Sequence, residues 1–184
     1  MKIEFIRLKE EHLDRLMNWR MSSRVTEFLL TDPKLTSVKQ RQWYEEIRND
    51  VTIEIWIVRV DGQDVGYFDL KDINFANKSA DPGMYICEDK YLGKGLGRYI
   101  MFNIHDYAFG ILKLNKLYGP VMSGNYPALV SYMKCGWKID GIMRDHVRKH
   151  GRYQDLIMIS ILSRDWYKRR DDFEYPKVFL GSNR

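Results

Sequence analysis

The chain has 184 residues, 45% of them hydrophobic, with 30 Lys and Arg against 25 Asp and Glu and a net charge of +5. This length suits one domain with its own core, and unremarkable glycine and proline content excludes a collagen-like or largely disordered chain. No apolar run reaches the roughly 18–20 residues of a helical membrane span, which excludes that class too.

The start, MKIEFIRLKEEH, lacks the apolar stretch of a signal peptide, so a cytoplasmic location without a membrane partner is expected. Cys87 and Cys135 have no metal-ligand spacing; two buried thiols and no metal site are expected. The basic residues are scattered except in DWYKRR. Scattered charge favours a phosphorylated small molecule over a nucleic-acid track, and no nucleic-acid partner is expected.

EFIRL reads as a first strand and EEHLDRLMNWR as a helix, with Leu13, Leu16, Met17 and Arg20 at helical spacing. LTSVKQRQWYEEIRND reads as a second helix, with Ser37 and Gln40 as a capping box. TIEIWIVRV then alternates, Asp61-Gly62 signals a type I′ hairpin, and DVGYFDL returns. KDINFANKSADP reads as a loop closed by Pro82, and GMYICED as a further strand. RYIMFNIHDYAFGIL reads as a helix, KLYGPV as a short strand, and NYPALVSYMKCG as a helix with Pro127 in its first turn and Gly136 at its end. Two strands joined by a basic turn at His150-Gly151 follow. The order predicts an α+β, mixed α/β domain on one largely antiparallel sheet. Residues 1–165 form the domain and residues 166–184 extend it. The segment YPKVFLGSNR could pack on its own domain or on a neighbour; a monomer or homodimer is expected.

Gly93, Gly95 and Gly97 stand at every second position between a strand and a helix. The first amides of a helix have no intrahelical partners, and the helix dipole adds positive charge there. Glycines let an anion approach those amides. GKGLGR fits neither the dinucleotide pattern G-x-G-x-x-G nor the Walker A pattern G-x-x-x-x-G-K-S/T. Alone, the three glycines are equally compatible with a bare structural turn.

YLGKGLGRYIM followed by NYPALVSYMKCGW resembles the acyl-CoA-binding core of the GCN5-related N-acetyltransferases (GNAT). That family carries Q/R-x-x-G-x-G/A and then N-x-x-A-x-x-x-Y-x-K-x-G-F/W. Asn125, Ala128, Tyr132, Lys134, Gly136 and Trp137 match the second pattern, and Gly95 and Gly97 the first. Leu92 stands where the family has Gln or Arg.

The resemblance implies a mostly antiparallel sheet splayed between two parallel strands, flanked by helices, with acetyl-CoA as co-substrate in the opening. The pantetheine arm would pair with the backbone of Tyr85, Ile86 and Cys87. The pyrophosphate would rest on the amides of Gly93, Lys94, Gly95, Leu96, Gly97 and Arg98. Asn125 would bond the pantetheine or a nearby water. An amine would attack the thioester directly, with Tyr132 as the acid for the departing thiolate; a half-buried packing tyrosine is the plainer reading of Tyr132. Some relatives place a Glu five residues before the Asn, where this chain has Pro120. Asp69, Asp72, Glu88 or a water chain remain as base, and His105 reads as either solvated or helix packing.

The acceptor is a small-molecule amine. MNWRMSSRVTEFLLTD, RQWYEEI and the last hairpin are similar to enzymes that acetylate the 4-amino group of a nucleotide-linked sugar, and to the ribosomal-protein-alanine type. Trp19, Trp43 and Tyr44 would face a ring, and Arg20, Arg144 and Arg148 a diphosphate, with Trp19 and Arg20 nearest the substrate; the alternative reading has Trp19 and Trp43 anchoring two helices to the sheet and Arg20 as a structural ion-pair partner. A sugar nucleotide is the first expectation and a protein N-terminus the second. A polyamine is the third, because its acceptor site calls for acids and the chain is basic. A non-catalytic acyl-CoA sensor is the reading from another class, disfavoured by intact Asn125 and Tyr132.

Overall fold

A computed structural model of the chain describes residues 1–180. Among these residues one seven-stranded sheet forms from β1 (Ile3–Arg7), β2 (Glu54–Val60), β3 (Gln63–Asn74), β4 (Ser79–Ile86), β5 (Lys116–Met122), β6 (Lys138–Lys149) and β7 (Arg152–Leu162). The strands stand in the order β1-β2-β3-β4-β5-β7-β6. Every neighbouring pair is antiparallel except β4 and β5. The helices are α1 (Leu13–Met21), α2 (Ser23–Thr26), α3 (Ser37–Ile47), α4 (Leu96–His105), α5 (Tyr126–Lys134) and α6 (Ser163–Arg169). The expected α+β architecture is present.

Both faces of the sheet are covered, so the central strands are buried almost continuously. On one face Trp56, Phe68, Leu70, Ile100 and Ile104 join the main core. On the other, Leu16 of α1 meets Ile55 and Tyr67, with Trp19 and Trp43 packed around them. The tight turn between β2 and β3 has positive φ at both Asp61 and Gly62, as its sequence predicts.

Three local expectations are corrected. KDINFANKSADP is mostly strand: β3 runs on to Asn74 and β4 starts at Ser79, with Leu70 opposite Pro82 and Lys71 opposite Asp81. Pro82 lies beyond the last pair that β4 makes with β5, on a stretch with a ladder on one side only, where a missing N–H is tolerated. The cap of α3 is Thr36, whose side chain accepts from the Lys39 amide at 3.3 Å; Ser37 is already helical. The long helix is α-helical only to His105, and Asp106–Ile111 winds as a π-helix.

The chain end packs on its own domain. Trp166 is buried, and Tyr175 Oη donates to Asp106 at 2.6 Å. Asn103 of α4 clasps Pro176 and Val178 through their backbones at 3.0 and 2.8 Å. The rest of the expected extension, residues 181–184, lies outside the described residues.

Candidate active site

β4 and β5 share only two pairs, Ser79 with Lys116 and Ala80 with Leu117. Beyond them β4 follows β3 and β5 follows β7, so the sheet opens as a wedge. A cavity of about 730 Å³ lies along this opening, a size that suits a small-molecule site. Met84, Tyr85, Ile86, Asn125 and Tyr132 line it, as do Gly93, Gly95, Leu96, Gly97 and Arg98. Cys87 and Lys94 stand off its wall, and Leu92 is on it.

Backbone polarity along β4 alternates. The Cys87 amide donates to Val65 O at 2.8 Å and so belongs to the ladder with β3. Alternation then turns the N–H and C=O of Ile86, and of Met84 before it, toward the opening. Tyr85 and Cys87 present side chains on the opposite face from Ile86: Tyr85 stacks on Tyr67 at 4.8 Å, and burial pushes the Cys87 thiol up to about 12.

Gly95 caps α4 with φ 85° and Gly93 has φ 69°, values that favour glycine. A Cβ on Gly95 would meet nothing nearer than Arg98 Nη2 at 3.6 Å, so the demand there is conformational. The turn and the first residues of α4 line the cavity, as does Arg98, whose Nη2 lies 3.6 Å from where a Cβ on Gly95 would stand; the first amides of a helix have no intrahelical partners. Leu96 sends its side chain into the core, and Lys94 is exposed on the outside of the turn. Bare amides, a nearby guanidinium and a cavity leading to the wedge fit a pyrophosphate and its pantetheine arm.

Asn125 uses Oδ1 to cap α5, accepting from the Ala128 amide at 3.3 Å, which leaves its Nδ2 for a ligand. α5 ends in paired hydrogen bonds, Trp137 N to Tyr132 O at 3.2 Å and Gly136 N to Met133 O at 3.0 Å, a Schellman closure. This fixes Tyr132, whose ring also packs edge-on against Trp137 at 4.9 Å. Burial, aided by the charges of Asp81 and Asp69, raises its phenol above the usual range and keeps it protonated.

Two carboxylates lie on the α1 face beside the wedge. Asp81 follows the last parallel pair, and its Oδ1 lies 2.7 Å from where a Cβ on Gly119 would stand. Burial pushes Asp81 up to about 6, against the pull of Lys71 Nζ at 3.2 Å. Asp69 is buried; Tyr67 Oη and the Gly83 amide donate to it. Burial raises it too, although Lys71 and Arg20 pull the other way. Among the expected bases, Asp69 lies beside the wedge, Asp72 acts on Asp81 and Lys71 through its charge, and Glu88 acts in the same way on Cys87. Asp81 is absent from the expected set because its strand reads as loop. The signal available was the alternation of Ala80, Pro82, Met84 and Ile86 around it.

Trp19 packs in the smaller cluster with Leu16 and Tyr67. Arg20 turns toward Asp69, Tyr67 and Tyr85, with its Nε buried and unpartnered. Arg144 and Arg148 are exposed on β6, and neither they nor Arg20 wall the cavity. A second cavity of about 470 Å³ shares Phe28 with the first and is walled by Glu27, Lys149, His150 and Arg152. Of the two roles expected for His105, solvated or packed, the structure shows the packed one: its Nε2 accepts from Trp137 Nε1 at 3.0 Å, and burial alone lowers it to about 3. Among the described residues no cluster suits a metal ion, and no helix is long and apolar enough to cross a membrane.

The acetyltransferase (GNAT) domain family matches residues 2–138. Spermidine N(1)-acetyltransferases are among the relatives. That of Vibrio cholerae is 32% identical over 107 residues, covering 58% of this chain and 61% of that protein. That of Escherichia coli K12 is 26% identical over 159 residues, covering 86% and 85%. Acetyltransferase PseH of Campylobacter jejuni is 27% identical over 130 residues, 71% of this chain and 79% of its own. A solved spermidine N-acetyltransferase SpeG chimera from Vibrio cholerae and hSSAT superposes with a TM-score of 0.85 at 25% identity, covering 92% of this chain and 100% of that one. Family match, parted strands and cofactor cavity agree: this chain belongs to the GNAT family and is an acetyl-CoA-dependent N-acetyltransferase.

Proposed function

We propose that the acceptor is a polyamine, acetylated on a primary amine by direct attack on the thioester carbonyl. The observation that carries this is the pair of carboxyls on the α1 face of the wedge, Asp69 buried and Asp81 partly buried. Both stay raised above their ordinary range although Lys71 and Arg20 are near. Burial disfavours their ionised forms even with Lys71 beside them, and an arriving ammonium would offset that. The names of the spermidine-acetylating relatives support the same acceptor.

In this reading Asp81 takes the ammonium proton, so that the neutral nitrogen can attack. The new N–C bond forms, the C–S bond breaks, and Tyr132 gives its phenolic proton to the departing sulfur. The Ile86 amide, turned into the opening, is the candidate donor to the carbonyl oxygen as charge builds there. Pyrophosphate binding at Gly93–Arg98 and positioning of the two reactants supply the remaining rate.

The sugar-nucleotide acceptor has less support, because Arg144 and Arg148 are exposed on β6 and only Arg20 turns toward the Asp69 carboxyl beside the wedge. Two observations favour it as a second reading: His150 and Arg152 line the second cavity, and PseH is among the relatives. Free-thiol release from acetyl-CoA, with spermidine and a 4-amino-sugar nucleotide in parallel, separates the two. Turnover of the sugar nucleotide alone would overturn the polyamine reading.

A further inference from the structure

Arg24 of α2 lines the same cavity as the glycine turn, Asn125 and Tyr132. Its Nη2 donates to Ile86 O at 2.9 Å and its Nη1 lies 3.4 Å from Cys87 O. Asp89 pairs with the guanidinium from the outer side. Ile86, like Met84, is a β4 residue whose peptide polarity points into the wedge, beyond the last pair with β5. A guanidinium therefore satisfies the carbonyl that an extended amide-bearing arm would need.

The other end of the Arg24 segment is fastened as well. Lys149, buried at the end of β6, donates to Thr26 O and Leu29 O, the latter at 2.7 Å, and pairs with Asp32 at 3.1 Å. The stretch from Arg24 to Asp32 thus joins the β4 side of the opening to the β6–β7 hairpin. Phe28, within that stretch, borders both cavities.

We infer that Arg24 is a placeholder for the donor: in the empty protein it occupies the Ile86 carbonyl, and it yields that place to the pantetheine amide of acetyl-CoA. This rests on the reading that the pantetheine arm pairs with β4. Arg24 is then a positioning residue whose hold exists in the empty state only. Every acetyl-CoA that binds must break it, so the hold lowers donor affinity and ties donor entry to movement of the segment that borders the second cavity.

The test is Arg24→Gln, with Asp89→Asn as an independent, milder variant that removes only the outer partner of the guanidinium. Calorimetric titration with acetyl-CoA and melting with and without saturating acetyl-CoA are the readouts. Arg24→Gln is expected to lower the Kd for acetyl-CoA roughly three- to tenfold, and Asp89→Asn to move it the same way by less. The empty Arg24→Gln protein is expected to melt below wild type, with the difference closing at saturation. A purely structural arginine would give the same loss of Tm in both states and an unchanged Kd, and that result overturns the inference. A raised Kd also overturns it, because Arg24 would then contribute to the bound state. If wild type itself fails to bind acetyl-CoA, the donor reading falls and the placeholder with it; binding by wild type without tightening in either variant sinks the placeholder alone.

Discussion

Asp81 reaches from β4 across the parting of the parallel strands to β5, where its Oδ1 stands 2.7 Å from the place a Cβ on Gly119 would take. Only a residue without a side chain leaves room for that carboxylate. Gly119→Ala is expected to displace Asp81 and lower kcat, with the Kd for acetyl-CoA little changed. Asp81→Asn should lower kcat by about a hundredfold, the scale of a lost general base. Because Asp81 is raised to about 6, the wild-type kcat/KM should climb as pH rises through 6, as the carboxylate becomes free to accept a proton. A profile with no acid limb near 6 would remove Asp81 from the base role.

Tyr132→Phe keeps the ring against Trp137 and removes only the acid. With the phenol held protonated by burial, kcat is expected to fall roughly ten- to a thousandfold while acetyl-CoA affinity stays the same. Unaltered kcat would return Tyr132 to a packing role.

Gly95→Val forces a β-branched residue to φ 85°, which costs about 1–2 kcal/mol of backbone strain and closes the approach to the α4 amides. The KM for acetyl-CoA is expected to rise at least about tenfold, with a smaller change in the KM for the amine. Steady-state kinetics with each substrate varied in turn check this; an unchanged KM for acetyl-CoA would contradict the pyrophosphate assignment.

His105 is buried beside Trp137 and Trp166, and its folded value of about 3 lies below the ordinary 6.5. A depressed value means that the stability it contributes is present above 6.5 and is lost as pH falls toward 3. Tm should therefore drop between pH 7 and pH 4. His105→Gln, which keeps an acceptor for Trp137 Nε1, should show a shallower drop over that range. Equal slopes for the two proteins would assign the acid sensitivity to other groups.

What could be read from the sequence follows from how local each signal is. The cofactor half is local: Gly95 needs its φ because a helix starts there, and Asn125 to Trp137 spell out one capped helix. The glycine turn and the capped helix are both legible in the sequence as local structure, even with Leu92 in place of the family's Gln or Arg. The acceptor half depends on pairing across the sheet. Asp81 carries no motif, and reading SADP as a loop hid the strand that aims it at Gly119. Polarity along β4 also follows from register, so Tyr85, Ile86 and Cys87 read alike although only Ile86 turns its peptide groups into the opening. Arg24 and Lys149 act through backbone carbonyls 62 and 123 residues away along the chain, a relationship that composition and periodicity do not encode. Arg20 turns toward Asp69, whereas Arg144 and Arg148 are exposed on β6, a difference that residue type alone does not encode.

The central claim concerns the acceptor, and acceptor-dependent release of free thiol from acetyl-CoA tests it most directly. With spermidine and a 4-amino-4,6-dideoxy sugar nucleotide compared at equal concentration, the account predicts turnover with spermidine at the higher kcat/KM, lost in Asp81→Asn. A higher kcat/KM for the sugar nucleotide, or spermidine turnover that survives Asp81→Asn unchanged, would contradict it.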